Sequence, residues 1–162
     1  MPNTKAVGVA YADPEFESVT VSGAATFSGA VTAASVSVTG AVTATSIAAS
    51  NDLGYTAAAQ GTVTQLTSKS TAVTLNKPAG VITMNNASLA TATNATFTLN
   101  NSLISANDTV ILTISGGQAT PGSYNVFANA LSAGSVSITL RNISGGSLSE
   151  AIVINFALIH CA

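Results

Sequence analysis

The sequence predicts an all-β protein in three parts: an N-terminal extended leader, an intertwined trimeric β-stem, and an antiparallel, jelly-roll-like β-sandwich knob. Three observations predict this fold class. In many short runs Val or Ile alternates with Ser or Thr, which is the period of two expected of strands. Turn residues such as Gly-Gly and Pro-Gly separate these runs at near-regular spacing. The sequence shows no convincing helical period of 3.6 residues.

The chain carries few charges. Of its 162 residues only ten are charged, four Lys or Arg and six Asp or Glu. That is 6% of the chain, against about 25% in a typical soluble domain. Four scattered cations release few counterions from a phosphate backbone, so we expect no nucleic-acid partner. The mean hydropathy of +0.49 also argues against intrinsic disorder, which combines low hydropathy with high net charge.

Residues 1–17 form a distinct leader by composition. They hold four of the ten charges, together with two aromatic residues and a proline. The charged residues are Lys5, Asp13, Glu15 and Glu17, and the others are Tyr11, Pro14 and Phe16.

Residues 18–51 contain no charge and a short repeat. The pattern Ser/Thr-Gly-Ala-x-Thr occurs at 22–26, 28–32 and 39–43. Two copies follow a Val-x-Val pair. Side chains as small as Val and Ala cannot build a core within one such segment, and repeats of this kind become stable by stacking on copies of themselves.

We therefore predict a β-stem over residues 18–51 in which identical chains wind together. We favour three chains, although the sequence alone does not determine the number of chains in the stem. The predicted stem core consists of Val19, Val21, Phe27, Val31, Val36, Val38 and Val42. The alternative is a flexible linker rich in Ala, Ser and Thr.

The sequence pattern of residues 52–162 predicts the sandwich knob. Eight strand-like runs lie between turn signals, at 62–66, 71–75, 81–84, 95–99, 109–114, 124–127, 135–140 and 150–159. The segment 85–95 fits either a loop or one helical turn. In the run 109–114, Val110, Leu112 and Ile114 share one side, which leaves Ile111 for a second apolar surface such as a subunit interface.

Catalytic groups are scarce, and we predict no enzyme, no metal and no cofactor. The single histidine, His160, has no orienting acid nearby in the sequence, so a catalytic triad is not expected. His160 and Cys161 together fall short of a zinc site. Asp108 and Glu150 are the only carboxylate pair of the knob that could serve glycoside hydrolysis, and Asp108 fits better as a turn residue.

A membrane location is not expected. The longest apolar run, 151–159, is nine residues interrupted by Asn155, well below the 18 or more of a spanning helix. The N-terminal residues lack the continuous apolar core of a secretory signal, so we expect synthesis and action without secretion.

The layout resembles trimeric appendages of tailed bacteriophages. The repeats of residues 19–32, the run from Gly61 to Gly80 and the run from Arg141 to Phe156 look like those of head-fibre or capsid decoration (cement) proteins. The resemblance of the knob covers about 100 residues, and that of the repeats is shared with tail fibres and spikes.

The resemblance implies a non-enzymatic homotrimer on the outer surface of the virion, synthesised in the host cytoplasm. Its partner would be the major capsid protein, gripped by the leader through Tyr11, Pro14 and Phe16, and it would stabilise the head. The alternative is a tail fibre, needle or receptor-binding protein whose knob recognises host surface glycans. For that role only Tyr124 and Phe127 stand in a plausible knob loop or edge.

Overall fold

A computed structural model describes residues 20–161. Within these residues the chain divides into two units, 20–48 and 49–161. The predicted leader, with Tyr11, Pro14 and Phe16, lies outside the described residues, and so does Val19 of the predicted stem core.

Residues 20–51 form neither a helix nor a strand in the single chain, and every side chain in this range is exposed. The described residues of the predicted stem core are between 52% and 75% exposed. Backbone groups of an isolated β-like segment have no strand to pair with. Stem strands between chains therefore stay a prediction about the assembled protein.

The second unit is a β-sandwich of eight strands, one for each of the eight runs predicted from the sequence. A single turn of 3-10 helix, Ala57–Ala59, precedes them. The strands are β1 (Gln60–Thr64), β2 (Val73–Thr74), β3 (Ala79–Thr83), β4 (Asn94–Asn100), β5 (Thr109–Gly116), β6 (Tyr124–Ser132), β7 (Ser135–Asn142) and β8 (Val153–Ile159).

The strands form two four-stranded sheets. Sheet A has the order β1-β3-β8-β5 and sheet B the order β2-β4-β7-β6. Four pairs are antiparallel, but β1 pairs with β3, and β2 with β4, in parallel. The prediction of an antiparallel, jelly-roll-like sandwich was wrong on this point, and both sheets are mixed.

The parallel pairs arise from the path of the first four strands. The chain alternates between the sheets, so β1 and β3 lie in sheet A while β2 and β4 lie in sheet B. Each crossover returns the chain to its first sheet in the original direction, which gives parallel neighbours. A period of two in the sequence locates a strand but does not reveal its direction.

One apolar core joins the two sheets. Ile82, Ile154 and Leu158 of sheet A and Ile138 and Leu140 of sheet B have no solvent exposure. Buried residues alternate with exposed or half-buried ones along β4 and β8, as the sequence pattern requires. Full burial of each such side chain contributes about 1.5–3 kcal/mol to stability.

The segment 85–95 is a loop that continues into β4, and it is not a helical turn. Leu89 forms an isolated antiparallel bridge with Leu148. Asn142 holds the loop in place, because its side-chain amide donates to the carbonyl of Leu89 at 2.9 Å and to that of Gly146 at 2.8 Å.

Candidate interaction surfaces

The outer faces of the two sheets differ in chemistry. None of the residues in the four strands of sheet A is charged, and its outer face includes Ile111, Ala157 and Ile159 among Thr and Asn side chains. The outer face of sheet B is richer in Asn, Ser and Thr, and carries Arg141 and the exposed Phe127. The face of sheet A is therefore the more suitable one for apolar contact.

An apolar groove of about 490 Å³ lies on sheet A at the end of β8. Tyr55 fixes one wall, because its hydroxyl donates a hydrogen bond to the carbonyl of Leu158. The groove is lined mainly by Leu53, Tyr55, Ile111, Ala157 and Ile159, with His160 at its margin. We call this surface the apolar groove.

Large side chains of the apolar groove are open to solvent. Leu53 is 84% exposed, Ile159 51% and Ile111 49%. The prediction that Ile111 points away from Val110, Leu112 and Ile114 is confirmed, since those three pack against the core. The subunit interface inferred from that pattern stays a prediction.

His160 is paired with an acid, contrary to the sequence-based expectation. Its Nδ1 lies 2.8 Å from Oδ2 of Asp108, whose side chain is 1% exposed. The expectation was wrong because β5 and β8 are antiparallel and Thr109 pairs with Ile159, which brings residues 52 apart in the sequence together. Among the described residues no hydroxyl or thiol is hydrogen-bonded to the ring, so the pair lacks the nucleophile of a triad.

Asp108 is also the turn residue that the sequence predicts. Its Oδ2 accepts a hydrogen bond from the backbone N–H of Ser105 at 2.8 Å. This bond, and after it the contact with His160, holds the pKa of Asp108 below its usual value even though burial opposes the shift. The carboxylate therefore serves the local structure around the ends of β5 and β8.

The carboxylate pair considered for glycoside hydrolysis does not come together. Asp108 precedes Thr109, which pairs with Ile159, whereas Glu150 precedes the opposite end of β8. Seven residues of extended strand separate the two ends by on the order of 20 Å. Paired glycosidase carboxylates stand within about 10 Å of each other, so these two cannot act on one glycosidic bond.

A buried polar cluster holds the opposite end of the sandwich, and sequence reasoning missed it. Lys69 is 3% exposed, and its Nζ donates to the backbone carbonyl of Asn85 at 2.6 Å and to that of Glu150 at 2.5 Å. Burial lowers the pKa of Lys69, and the charge of Glu150 partly opposes this. A lysine among Ser and Thr carries no signal that it will be buried.

Tyr124 belongs to the same cluster and is not a surface residue. It is 5% exposed, and its pKa is raised by burial first and by the nearby carboxylate of Glu150 second. The expectation that Tyr124 could meet a glycan was therefore wrong. Phe127, three residues further along β6, is 44% exposed and stays available.

Within residues 20–161, no group of three or more His, Cys, Asp or Glu side chains could hold a metal ion. Cys161 is a free, exposed thiol. No helix among these residues is long and apolar enough to cross a membrane.

Comparison of the chain with known proteins found no matching family model, no curated relative and no solved structure. The class of the protein therefore rests on its own residues and geometry. Those are an uncharged, exposed repeat segment and a sandwich with an apolar groove on an uncharged sheet.

Proposed function

We propose that this chain is a non-enzymatic structural protein of a virion, a trimeric capsid decoration or head-fibre protein that binds the lattice of the major capsid protein and stabilises the head. One observation carries the proposal. Residues 20–51 have no charge, repeat a Val- and Gly-containing motif, and expose every side chain in the single chain. Such a segment needs partner chains to bury its apolar side chains and to pair its backbone.

Winding three identical chains together meets both needs. Val36 and Val38 share one side of an extended segment, while Ser35 and Ser37 occupy the other. Chains that turn the valines toward a common axis remove them from water and leave the hydroxyls outside. The adjoining sandwich has its own core, so it does not depend on the stem for folding.

Attachment to the shell is assigned to the leader. Tyr11 and Phe16 would supply apolar anchors beside Pro14, and three leaders would bind at once. Linked weak contacts give firm attachment when the spacing of the sites matches the symmetry of the protein. The resemblance to head-fibre and decoration proteins supports this arrangement.

The second candidate is a tail fibre, needle or receptor-binding protein that recognises a host surface glycan. Phe127 favours it, because an exposed aromatic ring on the face of sheet B lies among Asn, Ser and Thr side chains. Rings of this kind stack on sugars, and neighbouring amides and hydroxyls supply hydrogen bonds.

Localisation of the protein on virions purified from the cells that produce it tests the proposal and separates the two candidates. Cryo-electron microscopy with a labelled antibody against the sandwich should show many copies over the head. A few copies confined to the tail tip would contradict the proposal and favour the second candidate. Virions without any copy would contradict both.

Deletion of residues 1–17 tests the anchor separately. The shortened protein should keep its trimer but no longer sediment with capsids. Full binding without the leader would show that another surface holds the shell.

A further inference from the structure

One edge of the sandwich is long and uncharged. β5 ends sheet A and β6 ends sheet B, and these two strands have eight and nine residues. Neither contains a charged residue or a proline. Natural proteins usually protect such edges with Lys, Pro, a β-bulge or a covering segment. The register shifts between Ile114 and Gly116 in β5 and between Asn129 and Leu131 in β6. The regular runs 109–114 and 124–129 are therefore the parts of this edge that are suited to contact with another chain.

The core is also open along this edge. Inward-facing Val110, Leu112 and Ile114 of β5 and Val126 and Leu131 of β6 are only partly buried. In the neighbouring strands, by contrast, Ile138 and Ile154 are fully buried. A groove of about 360 Å³ runs between the two edge strands near Val110 and Leu131.

The two faces of the sandwich differ beside this edge. On the side of sheet A, Ile111 leads into the apolar groove defined by Leu53, Tyr55, Ile111, Ala157 and Ile159. On the side of sheet B, Phe127 exposes 44% of its surface. The face of sheet B thus offers an exposed aromatic side chain, and the face of sheet A offers an apolar groove of about 490 Å³.

We propose that Phe127 of one copy docks in the apolar groove of the next, and that three such contacts close the sandwiches into a ring. This inference rests on the proposed trimer. Contacts around a three-fold axis join two different patches of the same protein, which is what the two faces beside this edge provide. The stem would keep the three sandwiches at high effective concentration, so each contact can be weak by itself.

The chemistry of the groove selects a neutral, apolar occupant. Its lining contains no Asp, Glu, Lys or Arg, and His160 is the only lining residue with a nitrogen in its side chain. The hydroxyl of Tyr55 is already engaged by the carbonyl of Leu158. A sugar would leave most of its hydroxyls without partners there, whereas a phenyl ring needs none. A second copy of this chain supplies such a ring.

Photocrosslinking of the full-length protein tests the contact. The variant Phe127→p-benzoylphenylalanine is prepared in two samples, one of normal isotopic composition and one enriched in ¹⁵N. The two samples are mixed, denatured, refolded together and irradiated. We expect crosslinks between heavy and light chains that map to peptides containing Leu53, Ile111 or Ile159. The matched control is Leu66→p-benzoylphenylalanine, since Leu66 is 85% exposed outside the edge and the groove.

The outcomes separate this inference from the proposed function. Wild-type protein that has a trimeric native mass, with crosslinks absent or no more frequent than at position 66, overturns the inference and leaves the stem trimer intact. A monomeric native mass overturns the proposed trimer and the inference with it. Crosslinks formed only to an added host-cell polysaccharide would assign Phe127 to glycan binding and would also overturn the inference.

Discussion

Nδ1 of His160 lies 2.8 Å from Oδ2 of Asp108, and this contact ties the end of β8 to the turn that begins β5. The backbone N–H of Cys161 also approaches Oδ1 of Asp108, at 3.4 Å. The carboxylate of Asp108 thus holds the turn at Ser105, the ring of His160 and the backbone of Cys161 in place. Because the apolar groove includes Ile159 and His160, the same carboxylate also fixes one end of the proposed contact surface.

Asp108 should make the sandwich sensitive to acid. Its pKa is lowered in the folded protein from the ordinary 3.8, so its contribution is present above that value and is lost as the pH falls through the lower folded pKa. Asp108→Asn should lower the free energy of unfolding near neutral pH. It should also make that free energy fall less steeply as the pH drops below 3.8. Urea unfolding between pH 2 and pH 7, on the order of one measurement per half unit, gives both quantities.

The matched control is Asp52→Asn, because Asp52 is an exposed carboxylate in the same unit. It should leave the acid profile unchanged. Equal profiles for wild type and Asp108→Asn would contradict the assigned role of Asp108.

Gly117 should tolerate no side chain. Its φ is +86°, and an added Cβ would lie 2.1 Å from the carbonyl oxygen of Ala151, a backbone atom that cannot rotate away. Gly117→Ala should therefore lower the free energy of unfolding for two reasons. A left-handed backbone conformation costs an alanine about 1–2 kcal/mol, and overpacking costs about 1–3 kcal/mol. Gly122→Ala isolates the first effect, because Gly122 has φ +82° and open space around it. Similar losses in thermal unfolding for the two variants would show that the close approach is not as described.

Lys69 should stabilise the sandwich through the two carbonyls it binds. Lys69→Met keeps the length of the side chain but leaves the carbonyls of Asn85 and Glu150 unpaired. We expect a net loss of about 2 kcal/mol in the free energy of unfolding. Lys77→Met is the comparison, since Lys77 donates to only one exposed carbonyl, that of Ala58, and should lose less than about 1 kcal/mol. A larger loss at Lys77 would contradict the importance of the buried cluster.

The stem valines should hold the trimer together. The double variant Val36→Asp, Val38→Asp places six carboxylates at the proposed common axis of three chains, where they repel one another and lose solvation. We expect monomers with an intact sandwich, detected by native mass and by unchanged thermal unfolding of the knob. Ser35→Asp, Ser37→Asp adds the same charges on the opposite side and should stay trimeric. A trimer that tolerates the valine substitutions would favour the linker alternative.

The sequence locates the strands well but not their arrangement. Alternation in runs such as 109–114 and 135–140 follows from one face packing on a core, so each of the eight strands overlaps its predicted run, although β6 continues past Phe127 to Ser132. Directions and neighbours depend on the crossovers between β1 and β4, which leave no local signal in the sequence. For this reason the parallel pairs β1–β3 and β2–β4 were not anticipated.

The candidate surfaces could be predicted only in part. The exposure of Ile111 follows from its position in the strand, because its neighbours Val110 and Leu112 belong to the core. The Asp108–His160 pair and the burial of Tyr124 depend on contacts between residues distant in the sequence. Such contacts appear only when the register of β5 on β8 and the packing of the loops are known.

Native mass spectrometry of the purified full-length protein measures the number of chains in the assembly, and assembly into trimers underlies both the stem and the attachment to a shell. We expect one dominant species with three times the 15.9 kDa mass of a single chain. A dominant monomer at the same concentration would contradict it.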